Sequence, residues 1–286
     1  MQHFKIFVEL TRLNKPIGFM LLFWPCSWGL AFAYSINQNF NLFLYYLILF
    51  FFGSVLMRSA GCIFNDIVDK DFDKKVKRTK NRPIAAGKIT VQHSLLYVLI
   101  LCILALIILL QFNVLTIILG VSSMLLAFSY PFMKRITYWP QLFLGITFNW
   151  GIVMAWCAIT NDISQEIIIL YLSAIFWTLG YDTIYGAQDM SEDEIIGLKS
   201  TSIKFKNNIR LFVGISYSIT MIMITFLFKD NIGINFFSIL LIVFIGSLLY
   251  QVFKFNKNKP KNCLNMFKLN NTSGLLLLAS ILLINS

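Results

Sequence analysis

Long apolar runs separated by short polar segments dominate this chain from end to end. A run needs about 20 apolar residues to cross roughly 30 Å of hydrocarbon. Nine stretches approach that length: 17–36, 42–64, 94–111, 113–133, 140–160, 165–186, 209–228, 233–253 and 269–285. Asn113, Pro140 and Gly233 punctuate their boundaries. The third run is joined tightly to the fourth, and the last is short. The pattern predicts an all-α integral membrane protein with about nine transmembrane helices bundled around a central cavity, in one polytopic domain over residues 1–286. Its longest polar connections are 65–93 and 187–208.

Composition agrees. Apolar residues make up 58% of the chain and charged residues 13%, where a soluble domain carries about a quarter charged residues. The mean hydropathy is +0.73. Five scattered cysteines form no CxxC and no disulfide-like framework. With only His3 and His93, zinc sites and Ser-His-Asp catalysis lack raw material.

Charge then orders the spans. If the N-terminus is cytoplasmic, 22 of the 24 Lys and Arg fall in cytoplasmic segments, as the positive-inside rule requires. Arg58 lies within a span and Lys229 on the other side. The net charge of +11 therefore reflects topology and a bilayer partner, with no need for nucleic acid. No segment points to an obligate protein partner. Lys15, the apolar run after it and Ala31-Phe32-Ala33 have the outline of a secretory signal, but removing that span would reverse the charge alternation.

Both polar connections carry acidic clusters. In Asn65-Asp66-Ile67-Val68-Asp69-Lys70-Asp71-Phe72-Asp73, residues Asn65, Asp69 and Asp73 recur at i, i+4 and i+8 and share one helical face, with Asp66 at its edge. Like charges so aligned repel one another unless a cation neutralises them. In Asp189-Met190-Ser191-Glu192-Asp193-Glu194, two aspartates stand at i and i+4, and Asp182 lies seven residues earlier, deeper in the sixth span. Oxygen-only ligands favour a hard ion such as Mg²⁺, which takes one or two carboxylates plus substrate phosphates. Asp71, Glu192 and Glu194 read as ordinary solvated charges.

Basic residues accompany the acids. Arg58 precedes Asn65 by seven residues on the same side of its helix, where a lone Arg is costly unless paired. Lys77, Arg78, Lys80 and Arg82 follow the first cluster, Lys199 follows the second, and Lys134-Arg135 ends the fourth span after Ser129-Tyr130-Pro131. Acidic clusters beside basic groups suit a polyanion carried by a divalent metal; a diphosphate fits. Some of the 28 Phe could line a channel for a long unsaturated tail.

The motifs have a precedent. Leu56-Met57-Arg58-Ser59-Ala60-Gly61-Cys62-Ile63-Phe64-Asn65-Asp66, with Lys77-Arg78-Thr79 and Asn81-Arg82-Pro83, resembles the first signature of the UbiA-type membrane prenyltransferases. Tyr181-Asp182-Thr183-Ile184-Tyr185 through Asp189, Asp193 and Gly197-Leu198-Lys199-Ser200-Thr201 resembles the second. Arg12 to Gly18 and Trp24-Pro25 resemble the N-terminal stretch, so the likeness covers nearly the whole chain. Two departures stand out: Asn14 where relatives usually have Asp, and Ser191-Glu192 in place of an Asp-Asp pair.

Within that family the likeness is greatest to the branch acting on 4-hydroxybenzoate in ubiquinone biosynthesis. It implies Mg²⁺-dependent transfer of a polyprenyl group from polyprenyl diphosphate to ring position 3. Asn65, Asp66, Asp69, Asp73, Asp189 and Asp193 are then expected to hold the metal, with the aspartates and Arg58 catalytic. Arg12, Arg58, Arg78, Tyr130, Lys134, Arg135, Asp182 and Lys199 are expected to bind substrate, with Arg12 or Arg135 anchoring the acceptor carboxylate. The expected location is a bacterial inner membrane, with the N-terminus and the site on its cytoplasmic side. A sister enzyme with another acceptor (haem, homogentisate or a naphthoate) and an ion-coupled transporter are the alternatives. A transporter would more often place its charges near the midplane, within inverted repeats.

Overall fold

The computed structural model describes residues 2–285, and all its regular structure is helical. Helix α1 (Gln2–Thr11) precedes α2 (Ile17–Asn37), α3 (Phe40–Val68), the short α4 (Lys70–Asp73), α5 (Val91–Leu109), α6 (Val114–Ile136), α7 (Pro140–Thr160) and α8 (Gln165–Gly186). Two short helices, α9 (Met190–Ile195) and α10 (Thr201–Lys204), lead to α11 (Ile209–Leu227), α12 (Phe236–Lys254) and α13 (Pro260–Leu282). Polar side chains start many of these helices by accepting an otherwise orphaned N–H. Asn39 caps Leu42, Thr90 caps His93, Asn113 caps Thr116 and Ser164 caps Ile167.

Eight helices are long and apolar enough to cross a membrane, and they coincide with the first eight predicted runs. The count of nine is not reproduced by that criterion. The last predicted run, 269–285, lies mostly in α13, which begins at Pro260 and carries Lys261, Asn262, Asn265, Lys268, Asn270 and Asn271. That polar half dilutes its hydropathy. Some of it serves packing: Asn271 accepts from Trp24 Nε1 at 3.0 Å, and Asn270 accepts from Trp177 Nε1 at 2.8 Å. Asn270 also donates to Gln251 at 2.8 Å, as does the Tyr217 hydroxyl. Lipid cannot satisfy such groups, so neighbouring helices must.

The second predicted run differs at its ends. Helix α3 continues to Val68, so Asn65 and Asp66 are helical residues. Helices α2, α7 and α8 are the most enclosed, whereas α5 and α6 turn most of their apolar surface outward. A close seam joins α2 to α7, where a Cβ on Gly29 would run into the Ile152 carbonyl. A smaller core of Leu10, Ala60, Ile63, Ile84, Val98 and Leu101 docks α1 and residue 84 onto α3 and α5. That docking brings the polar connections over the end of α3.

The seam yields a direct test. Gly29→Val should destabilise the protein by about 1–3 kcal/mol through overpacking, read as a lower melting temperature in detergent. Gly246→Ala, in the interior of α12 where nothing lies within 4 Å of the new Cβ, should show no such loss.

Candidate active site

The end of α3 delivers the first acidic cluster as its helical phase predicts. Asp69 N–H donates to the Asn65 carbonyl at 2.9 Å and Asp73 N–H to the Asp69 carbonyl at 2.8 Å, so the spacing survives the break before α4. Asn65 Nδ2 reaches Asp69 Oδ2 at 3.0 Å. Asp66, Asp69 and Asp73 are buried, whereas Asp71 is exposed and pairs with Lys74.

Buried carboxylates must be paired, and each of these three is. Asp66 meets Arg12 at 2.6 Å and Arg82 at 3.0 Å. Arg82 also bridges to Asp73 at 2.9 Å. Lys134 donates to Asp69, with Arg135 at 3.4 Å from its other oxygen. Arg12 stands in the turn after α1 with φ of 56°, a left-handed conformation. An Arg pays about 1 kcal/mol or more for that backbone, and its ion pair with Asp66 helps hold it there.

The second cluster is gripped from the first. Arg78 donates to Asp189 from Nε at 2.8 and 2.9 Å and from Nη2 at 2.5 Å, and Nη1 lies 3.4 Å from the Tyr185 hydroxyl. Asp193 follows Asp189 by one helical turn. Burial and the Asp189 charge push its carboxyl up to about 6, against the pull of Lys134 and Arg78. Glu192 accepts the Lys77 N–H at 3.0 Å, whereas Glu194 is exposed, as expected of a solvated charge, and pairs at the surface with Lys206 at 2.7 Å.

Beneath this ionic layer opens a cavity of about 1330 Å³. Arg12, Asn65, Asp66, Arg78 and Arg82 line its mouth. Arg58, Tyr130 and Asp182 line its middle, and its depth is apolar, with Phe50, Leu106, Phe112 and Met154. Arg58 lies seven residues, roughly 10 Å of helix, below Asn65. Its Nε is buried with no hydrogen-bond partner, and its guanidinium lies 5.2 Å from the Phe148 ring centroid. Gly18 leaves room for it, since a Cβ there would stand 3.0 Å from that Nε. Tyr130 and Asp182 share its electrostatic field.

Not every expected residue faces the cavity. Lys199 Nζ caps the end of α6 at the Ile136 carbonyl, 3.2 Å away, and Arg135 stacks over Phe72 while donating to the Val68 carbonyl. Arg12, the other expected carboxylate anchor, is committed to Asp66. Asp182 does not continue the register of Asp189, because α8 ends at Gly186 between them. Arg82 was not singled out by spacing. It lies nine residues beyond Asp73, and only the fold of the intervening turns explains its double bridge.

Among the described residues, no three Asp, Glu, Cys or His side chains converge as a preformed metal site. The donor set nevertheless fits a hard divalent cation. All its ligands are oxygen, Asp69 and Asp189 both act electrostatically on Asp193, and the present partners of the carboxylates are themselves cations.

The sequence model of the UbiA prenyltransferase family matches residues 22–272. The chain is 42% identical over 281 residues to the mitochondrial 4-hydroxybenzoate polyprenyltransferase of Bos taurus, spanning 98% of this chain and 75% of that protein. The human enzyme of the same name gives the same identity and coverage. The enzyme of that name from Caenorhabditis elegans is 40% identical over 97% of this chain and 78% of its own length. In structure, a UbiA homolog from Aeropyrum pernix K1 superposes with a TM-score of 0.76 at 19% identity, over 92% of this chain and 96% of that one. A UbiA homolog from Archaeoglobus fulgidus bound to GPP and Mg²⁺ gives 0.72 at 17%, over 98% and 99%. The relatives named are mitochondrial enzymes, which overturns the expected bacterial inner membrane and its cytoplasmic face. Integral membrane character stands.

The raised Asp193 carboxyl sets a pH dependence. A raised carboxyl stays protonated up to about pH 6, and a proton competes with a metal for the same oxygen. Divalent-cation binding, followed by calorimetry in detergent, should weaken as pH falls from 7 to 5. Asp193→Asn should flatten that dependence.

Proposed function

Because the chain belongs to the UbiA prenyltransferase family, we propose that it transfers a polyprenyl group from polyprenyl diphosphate to position 3 of 4-hydroxybenzoate, as in ubiquinone biosynthesis. The observation that carries this reading is 42% identity, over 98% of the chain, to enzymes of that name. The cavity supports it chemically, with a charged mouth for a diphosphate, a polar middle for a small aromatic acid and an apolar depth for an isoprenoid.

Asn65, Asp66, Asp69, Asp73, Asp189 and Asp193 would hold Mg²⁺. When bound, that ion supplies electrostatic stabilisation of the diphosphate's developing charge. Arg78, Arg82 and Lys134, now on carboxylates, lie close enough to the mouth to take up diphosphate oxygens. As the allylic C–O bond breaks, its electron pair leaves with the diphosphate, and these cations receive the charge.

Arg58 suits the acceptor carboxylate better than Arg12 or Arg135, because it lines the cavity with a buried, unpartnered Nε, whereas Arg12 is paired with Asp66 and Arg135 does not line the cavity. Phe148 and Tyr130 then flank the ring. The electron-rich carbon ortho to the phenol attacks the allylic cation, forming the C–C bond. The ring proton passes to Asp182, a cavity carboxylate with no ion pair among the described residues, or to the released diphosphate. Stabilising the leaving group is the main demand, so no activated nucleophile or histidine is needed.

Membranes containing the protein, Mg²⁺ and a labelled polyprenyl diphosphate, offered a panel of aromatic acceptors, should give product with 4-hydroxybenzoate. Product with a different acceptor alone would overturn the reading. Asp69→Ala should lower turnover about 10²- to 10³-fold while leaving membrane insertion intact. Arg58→Leu should raise KM for 4-hydroxybenzoate about tenfold or more, the cost of a lost charge-assisted hydrogen bond.

A further inference from the structure

The segment after α4 contributes Arg78, Asn81, Arg82 and Pro83 to the cavity mouth, yet it is built only of turns. Its backbone bonds are local: Lys75 N–H to the Phe72 carbonyl, Lys80 N–H to Val76, Arg82 N–H to Thr79. Val76 and Thr79 are buried, while Lys74, Lys75, Lys77, Arg78 and Lys80 are exposed. A segment with local bonds and few buried contacts sits at the low end of local stability. Its position over the cavity therefore depends on side-chain ties to other elements. Two of those ties go to the second cluster: Arg78 to Asp189, and the Lys77 backbone N–H to Glu192 Oε2 at 3.0 Å.

These ties differ in kind. Arg78 and Asp189 both belong to the charged machinery that a diphosphate and a metal would rearrange. Glu192 belongs to neither, and its carboxylate grips backbone, which stays a donor whatever happens to the side chains. Its side chain spans the gap from α9 to the Lys77 amide.

We propose that Glu192 is a positioning residue that straps the basic segment 74–83 across the cavity mouth, keeping Arg78 and Arg82 within reach of an incoming diphosphate. The proposal rests on the diphosphate-transfer reading of the site. By holding the segment in place before the ligand arrives, Glu192 lowers the ordering cost of binding.

Limited trypsin digestion of the purified full chain reads the strap without reference to activity. Glu192→Ala should speed cleavage within 74–80, with cleavage at Lys229 on the opposite end of the bundle as the internal control for folding. Glu192→Gln, whose amide oxygen accepts the same N–H, should retain protection. Glu192→Asp, too short to reach, should resemble Ala. In the transfer assay, Glu192→Ala should raise KM for the polyprenyl diphosphate about three- to tenfold, the equivalent of one net hydrogen bond, by more than it lowers kcat. Wild-type cleavage and KM in Glu192→Ala would overturn the proposal, and so would a Gln variant as open as the Ala variant. If the wild-type protein transfers no prenyl group, the functional reading fails, and the cleavage pattern decides the strap by itself.

Discussion

Buried carboxylates at the end of a membrane bundle are tolerable only if positive charge comes to them. That constraint organises this protein's charged end. Asp66, Asp69 and Asp73 are fixed on one side by the helical phase that runs from α3 into α4, so the cations must be brought by everything else. Arg12 comes from a left-handed turn, Lys134 and Arg135 from the last turn of α6, Arg82 from a chain of turns. Four segments distant in sequence are thereby pinned to one layer. Arg78 extends the layer to Asp189, and Glu192 ties its loop from the other side.

The membrane imposes a second, opposite requirement below that layer. Polar groups inside the bundle must be satisfied by other helices. The Trp177, Tyr217, Gln251 and Asn270 network does this where α8, α11, α12 and α13 meet. Arg58 is one of a few exceptions, with Asn149, Trp156 and Tyr181: its Nε lacks a partner while its face lies over Phe148. A site that satisfied every buried donor would have nothing left for a substrate. The charged member of that group that lines the cavity, Arg58, sits midway between the charged mouth and the apolar depth, the level at which a small aromatic acid would meet a diphosphate-bearing tail.

Much of this was legible in residue order. Helical phase picked out Asn65, Asp69 and Asp73 and set Asp71 aside, and the structure agrees, since short-range periodicity survives folding. Hydropathy located eight spans, because lipid-facing helices are apolar over most of their length. The ninth predicted run, in α13, falls short of that criterion because polar residues there are taken up by helix–helix hydrogen bonds. Pairings across long sequence separation were illegible. Nothing in the order of residues says that Arg82 bridges Asp66 and Asp73, that Lys199 caps α6, or that Glu192 holds the Lys77 amide. Those depend on how turns close, and turns carry no period.

The pairing of Asp66, Asp69 and Asp73 also bears on how such a site can work. A cluster of bare aspartates would bind a metal tightly before any substrate arrived, and the diphosphate would then have to find its own cations. Here the same Arg and Lys side chains already stand beside the carboxylates. A metal bearing a diphosphate brings positive charge for the aspartates and negative charge for the arginines in one ligand, so each existing pair can exchange partners without leaving a buried charge alone. Metal without diphosphate, or diphosphate without metal, satisfies only half of each pair and leaves the other half exposed to the full cost of an unpaired buried ion. Under the proposed function the ionic layer would therefore favour joint binding of the two, the condition under which an allylic C–O bond should be allowed to break.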